Sequence, residues 1–156
     1  MQAINPESRK YRIISMIRPA LSVEQAVQFI KDQFGSVKII SQSVSIRILA
    51  YTIDHNKSAH EIITDIECLP LQMWEIRRKL EIDESVLRVL ALRTESRSLK
   101  LDCKEESVRA ISSYLNRTGR MSLPRSPKMP RGARSKTSKL IKRYRFCGIM
   151  PYYKDV

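Results

Sequence analysis

Hydrophobic and polar positions follow two rhythms along the first part of the chain, and the order of those rhythms predicts a fold. Tyr11-Arg-Ile-Ile-Ser-Met-Ile17 is a short apolar run closed by Pro19, which suits a central strand. Ser22 is placed to cap a helix in which Val23, Ala26, Val27, Ile30 and Phe34 recur at helical spacing, and Gly35 ends it. Val37 to Ile53 is β-branched and partly alternating, with Val44, Ile46, Ile48 and Ala50 on one face. The polar break Ser41-Gln-Ser43 predicts a bulge or bend there. Asp54-His-Asn-Lys57 is the turn, and His55 and His60 are expected in loops. The next strand sets Ile62, Thr64 and Ile66 on one side, with Glu61, Asp65 and Glu67 mostly on the other. Pro70 opens a second helix sampled by Leu71, Trp74, Arg78 and Ile82; Leu71 and Trp74 are expected to face the sheet, Trp74 as core. Val86 to Leu92 is the last strand.

The order β-α-β-β-α-β predicts an α+β class, ferredoxin-like domain: an antiparallel sheet with two helices on one face. That plan hosts RNA-recognition modules, enzymes and regulatory domains alike, so it names no function. Tyr11 lies on the first strand, but the fourth strand offers no aromatic partner for stacking bases, which argues against a single-strand RNA reader.

Beyond the sheet the pattern changes. Glu95 to Leu101 is a polar connector, and Asp102 and Glu105 have capping-box-like spacing. The helix they would start bears Val108, Ile111, Ser112 and Leu115 on one stripe and ends before Gly119. Gly119, Pro124, Pro127, Pro130 and Gly132 then forbid one continuous helix, and a final helix is expected from about Ser135 to Phe146, ending before Gly148. Leu140, Ile141, Tyr144 and Cys147 form its apolar seam; Lys136, Lys139 and Arg143 line another face. Both helices are too lightly apolar to stand alone in water, so each needs a surface to pack on. The expected division is residues 1–95, a connector 96–101, and a basic module 102–156.

Charge sharpens that division. Residues 1–100 hold 15 basic and 12 acidic side chains, net +3, whereas residues 101–156 hold 14 and 4, net +10. Between Arg117 and Arg145 there are eleven Lys or Arg and no acid. So much unbalanced charge calls for a polyanion, read here as RNA. Cys68, Cys103 and Cys147 are scattered and odd in number, which opposes a disulfide framework and suits a reducing compartment; Cys103 and Cys147 read as small buried hydrophobes. No apolar run reaches the roughly 18 residues of a membrane span, and the N-terminus has no signal-peptide pattern. No Ser/His/Asp set, paired-carboxylate site or Gly-rich phosphate loop is visible, so neither an enzyme nor a cofactor is expected.

Two adjacent resemblances now stand on particular residues. Tyr11-Arg-Ile-Ile-Ser-Met-Ile-Arg-Pro19, Arg47-Ile-Leu-Ala-Tyr-Thr-Ile53 and Val86-Leu-Arg-Val-Leu-Ala-Leu-Arg-Thr94 make residues 11–94 resemble bacterial-type small-subunit ribosomal protein six. Asp102-Cys-Lys104, Gly119-Arg-Met-Ser-Leu-Pro-Arg125, and Ile141-Lys-Arg143 running into Ile149-Met-Pro-Tyr152 make residues 102–155 resemble small-subunit ribosomal protein eighteen. The turn before the last helix departs from the second family: Pro127-Lys-Met-Pro130 replaces a Ser/Thr–Gly element, so that helix's start is free to shift by a turn.

The two families are ribosomal partners on the small-subunit platform, so the resemblance implies a fusion of both modules. It also implies small-subunit rRNA and neighbouring ribosomal proteins as partners, with no membrane and no small-molecule substrate. Expected rRNA contacts are Arg117, Arg120, Arg125, Lys128, Arg131, Arg134, Lys136, Lys139, Lys142, Arg143, Arg145 and Tyr152. Expected packing between the modules uses Arg47, Arg88, Val108, Ile111, Leu115, Leu140, Ile141 and Tyr144. Fusion and the Gly148-Ile-Met-Pro151 ending suggest the mitochondrial matrix, with chloroplast or bacterial cytoplasm as alternatives. Two competing functions stay open: a free RNA-binding regulator or chaperone dimerising through the ferredoxin-like domain, and a small phosphate-handling enzyme of the same fold.

Overall fold

The computed structural model describes residues 8–94, 105–121 and 131–153. In chain order its elements are β1 (Arg9–Ile17), α1 (Val23–Phe34), β2 (Lys38–Ile53), β3 (Asn56–Cys68), α2 (Pro70–Ile82), β4 (Val86–Arg93), α3 (Glu105–Ser112) and α4 (Arg131–Phe146). The strands form one sheet ordered β2-β3-β1-β4, with β1 antiparallel to both β3 and β4. This is the expected α+β, ferredoxin-like arrangement, followed by further helices.

Local chemistry explains the elements. The Gln25 amide donates to Ser22 Oγ at 3.2 Å, and the Ser22 amide donates to Gln25 Oε1 at 3.0 Å, so two otherwise orphaned donors close a capping box at the start of α1. Ala26, Ile30 and Phe34 then recur on its buried face. Gly35 leaves the helix with φ +56°, a left-handed conformation that a residue without Cβ adopts without strain. Pro70 stands in the first turn of α2, where its missing N–H costs nothing. The helix-side core joins these residues to Ile13, Ile17, Ile62, Ile66, Met73, Ile76, Leu80 and Val89. Ile14 and Met16, on the other face of β1, are also fully buried.

Two expectations need correction. Leu71 and Trp74 are 69% and 58% exposed, and Met73, Ile76 and Leu80 are the face of α2 that packs. Trp74 is therefore not core; Arg78 covers its ring at 5.4 Å instead. His60 lies within β3, buried, with Nε2 2.8 Å from the Leu21 carbonyl; only His55 is a turn residue. Ser41-Gln-Ser43 lies inside β2, which runs from Lys38 to Ile53, and a register irregularity between β1 and β4 falls at Met16/Ile17.

A cross-strand row passes through β3, β1 and β4 as Glu61, Met16 and Arg88. From β2, Arg47 Nε donates to Glu61 Oε2 at 2.7 Å, and the Ser45 hydroxyl donates to the same oxygen at 3.2 Å. Glu61 is almost wholly buried, so this ion pair supplies the partner that a buried carboxylate needs. Arg88 Nη1 donates to the Leu87 carbonyl beside it.

The chain forms two compact units: Met1–Arg47 with Ser58–Ser98, and Ile48–Lys57 with Leu99–Val156. The tip of the β2–β3 hairpin thus belongs with the C-terminal residues, whereas the sequence division had left it in the first domain. Length makes this possible. β2 has 16 residues, about 53 Å at ~3.3 Å each, while the 12 residues of α1 span only about 18 Å. A helix that short cannot cover so long a strand, and Ile46 and Ile48 on β2 are 68% and 84% exposed.

Candidate nucleic-acid interface

The second unit is assembled around the hairpin tip. Asp54 and His55 both have positive φ, 47° and 64°, so they form a tight two-residue turn between β2 and β3 that matches the right-handed twist of the strands. Leu49 and Ile53, four apart and so on one face of β2, are buried, and their side chains lie against Gly148. The Ala50 amide donates to the Gly148 carbonyl at 2.8 Å, and the Tyr51 hydroxyl donates to the Arg145 carbonyl at 2.7 Å. The first bond pairs the Gly148 carbonyl just past the end of α4, and the second adds a donor to the Arg145 carbonyl, which also accepts from the Gly148 amide.

The end of α4 is itself a Schellman motif. Gly148 has φ +71°, its amide donates to the Arg145 carbonyl at 3.0 Å, and the Ile149 amide donates to the Tyr144 carbonyl at 2.9 Å. A Cβ at Gly148 would crowd both Ile53 and Leu49, so the residue serves the turn and the close approach together. Ile141, Tyr144 and Cys147 are buried and Leu140 is half-buried, as the seam predicted. The helix starts at Arg131, about a turn before Ser135, and so includes Gly132.

Arg145 has an unexpected task. Its Nη2 donates to the Gly119 carbonyl at 2.6 Å and to the Tyr152 carbonyl at 3.2 Å, while Nε donates to the Pro151 carbonyl at 3.3 Å. The guanidinium also lies 5.4 Å from the Tyr152 ring centroid. It thus clasps the Pro151–Tyr152 tail to the turn at Asn116–Gly119. That turn is closed by hydrogen bonds from the Gly119 amide to Asn116 and from the Asn116 amide to Arg120, and by a bridge between Leu115 and Met121. Gly119 has φ +70°, and a Cβ there would overlap the Tyr152 carbonyl oxygen.

The other candidate cations divide by place. Arg134, Lys136, Lys139 and Lys142 are exposed on α4; Arg143 is half-buried and partnered. Arg117 and Arg120 are exposed at the Asn116–Gly119 turn. Arg125, Lys128 and the Arg131 side chain fall outside the described residues, as do Asp102 and Cys103. Of the expected inter-module residues, Arg47 and Arg88 make the contacts given above within the first unit. Val108 and Ile111 are half-buried and Leu115 is buried within the second. Cys68 and Cys147 are buried and in no disulfide, and burial pushes the Cys68 thiol up from its ordinary pKa. Among the described residues no cluster of three or more His, Cys, Asp or Glu could hold a metal ion, and no helix is long and apolar enough to cross a membrane.

A groove of about 580 Å³ opens between the turn and the tail, lined by Thr118, Gly119, Arg120, Arg145, Tyr152 and Tyr153. Tyr152 packs its ring at 5.5 Å and a tilt of 55° on Tyr51, and so belongs partly to the structure; Tyr153 is 70% exposed. Sequence reasoning singled out Tyr152 as an RNA contact but did not find its partner Tyr51 or the structural role of Arg145. No local signal could have done so, because their partners lie up to 94 residues away.

Comparison with known proteins now bears on the first unit. The family model described as Ribosomal protein S6 matches residues 10–93, more than half of the chain. Small ribosomal subunit protein bS6 of Gluconobacter oxydans is 33% identical over 82 residues, which are 53% of this chain and 51% of that one. The bS6 protein of Thermobifida fusca is 30% identical over 94 residues, 56% of this chain and 97% of the relative. In structure, 30S ribosomal protein S6 from Thermotoga maritima superposes with a TM-score of 0.51 and 17% identity, over 67% of this chain and 98% of that one, a likeness of fold. By their names these relatives are proteins of the small ribosomal subunit. By its family-model match the chain belongs to the ribosomal protein S6 family.

Proposed function

We propose that this chain is a structural constituent of the small ribosomal subunit that adds an rRNA-binding module to its S6-family domain. The family match over residues 10–93 carries the reading. The basic module supports the RNA contact: its exposed cations on α4 and at the Asn116–Gly119 turn face no acidic neighbours between Arg117 and Arg145. Arginines there can meet phosphates bidentately and lysines as point charges, contacts that fix position more than sequence. The resemblance of residues 102–155 to ribosomal protein eighteen makes the module a fused partner, whose tether raises its local concentration on the platform. A fused pair and the Gly148-Ile-Met-Pro151 ending favour a mitochondrial ribosome, although the relatives compared above are bacterial.

The test is co-sedimentation. A tagged chain expressed in its own cells is expected in the small-subunit fraction of a gradient, and in mitochondria on fractionation. A chain found only as a free soluble dimer would favour the regulator reading and overturn this one.

A further inference from the structure

The cations of α4 suit any phosphate backbone, but the groove beside them has a narrower chemistry. Its volume of about 580 Å³ falls in the ~300–1,000 Å³ range of small-ligand sites. It combines an exposed aromatic face, Tyr153, with an exposed guanidinium, Arg120, and one hydroxyl, Thr118. Tyr152 and Arg145 form its wall and are already engaged, with each other, with Tyr51 and with the backbone carbonyls of the clasp. The wall is therefore rigid, and Tyr153 and Arg120 remain to meet a ligand.

A base inside a duplex has both faces covered by its neighbours, so an aromatic ring can stack only on a base that has left the helix. Resting on the RNA-binding reading above, we propose that this groove receives one unpaired nucleotide of the bound RNA. Its base stacks on Tyr153 and its phosphate meets Arg120. No side-chain amide or carboxylate lines the groove, so it selects an extruded base without reading its identity, and favours purines through their larger stacking surface.

The experiment uses the full chain and two RNA hairpins with the same stem, one fully paired and one carrying a single bulged 2-aminopurine. The bulged hairpin is expected to bind about 10-fold more tightly, with its fluorescence quenched by stacking. Tyr153→Ala should abolish the quench and bring the two affinities together, and Tyr153→Phe should keep both effects. Arg120→Gln should weaken the bulged complex and lower its salt slope by about one. Equal affinity for both hairpins, or a quench that survives Tyr153→Ala, overturns the subsite while leaving the RNA reading intact. Failure to bind either hairpin overturns both.

Discussion

The two units solve the same problem, burying a marginal amount of apolar surface, by different means. The first has two helices whose apolar faces match a sheet, and its interior is mainly aliphatic: Ile13, Ile17, Ile30, Ile62, Ile66 and Leu80. Its buried ion pair, Arg47–Glu61, lies outside that aliphatic cluster. The second unit has two highly charged helices, α3 of 8 residues and α4 of 16, and it draws on a hairpin tip distant in sequence and on backbone hydrogen bonds. A cation, Arg145, organises its tail through three carbonyls. The first unit rests on an aliphatic core with one buried ion pair beside it, whereas the tail of the second is held by hydrogen bonds from a single guanidinium.

Substitutions can break that contrast, the largest first. Arg47→Ala leaves the Glu61 carboxylate buried without its ion-pair partner and should cost about 3–5 kcal/mol in urea unfolding of the first unit. Arg47→Met with Glu61→Leu should recover most of the loss, since the pair is then replaced by apolar packing. A single variant no weaker than the wild type would show the pair to be idle.

Gly119→Ala comes next, at about 1–3 kcal/mol for the left-handed backbone alone, with the overlap on Tyr152 added. Hydrogen exchange should accelerate at the Ile149 and Met150 amides but stay slow at Ile13 and Ile62. Equal acceleration everywhere would mean that the clasp is not confined to the second unit.

Trp74→Ala should change stability by less than about 1 kcal/mol, because the ring is exposed and loses only its contact with Arg78. Thermal melting decides this, and a collapse would return Trp74 to the core.

The smallest effect concerns pH. Lys38, donating to Glu67 at 3.2 Å, holds that carboxyl below its usual pKa, helped by Lys10 and opposed by desolvation. Its folded pKa is depressed, so any stability it lends is present above the ordinary carboxylate range and is lost as pH falls through the lowered value. Lys38→Ala should raise the Glu67 titration midpoint, followed by NMR; an unmoved midpoint would dismiss the pair.

Much of the fold was legible because its signals are local. The Ser22 cap, Gly35, Pro70 and Gly148 mark helix ends through local chemistry, and they appear where the pattern placed them; the reciprocal bond from Gln25 came with the structure. Trp74 misled for the complementary reason: α2 is only weakly amphipathic in sequence, and periodicity leaves open which side of such a helix turns inward. His60 misled because a polar residue in an apolar strand can be satisfied by a carbonyl as remote as Leu21.

Helix and strand order, the split between a balanced and a cationic half, and the candidate phosphate-binding residues were written in the chain itself, since composition and short-range periodicity dictate them. The tertiary structure alone decided that the tip at Ile48–Lys57 belongs with the C-terminal residues. It alone turned Arg145 into a clasp and left Tyr153 open beside Arg120. Those outcomes depend on contacts between residues far apart in sequence, and the chain's local chemistry holds no trace of which distant carbonyl or ring will be within reach.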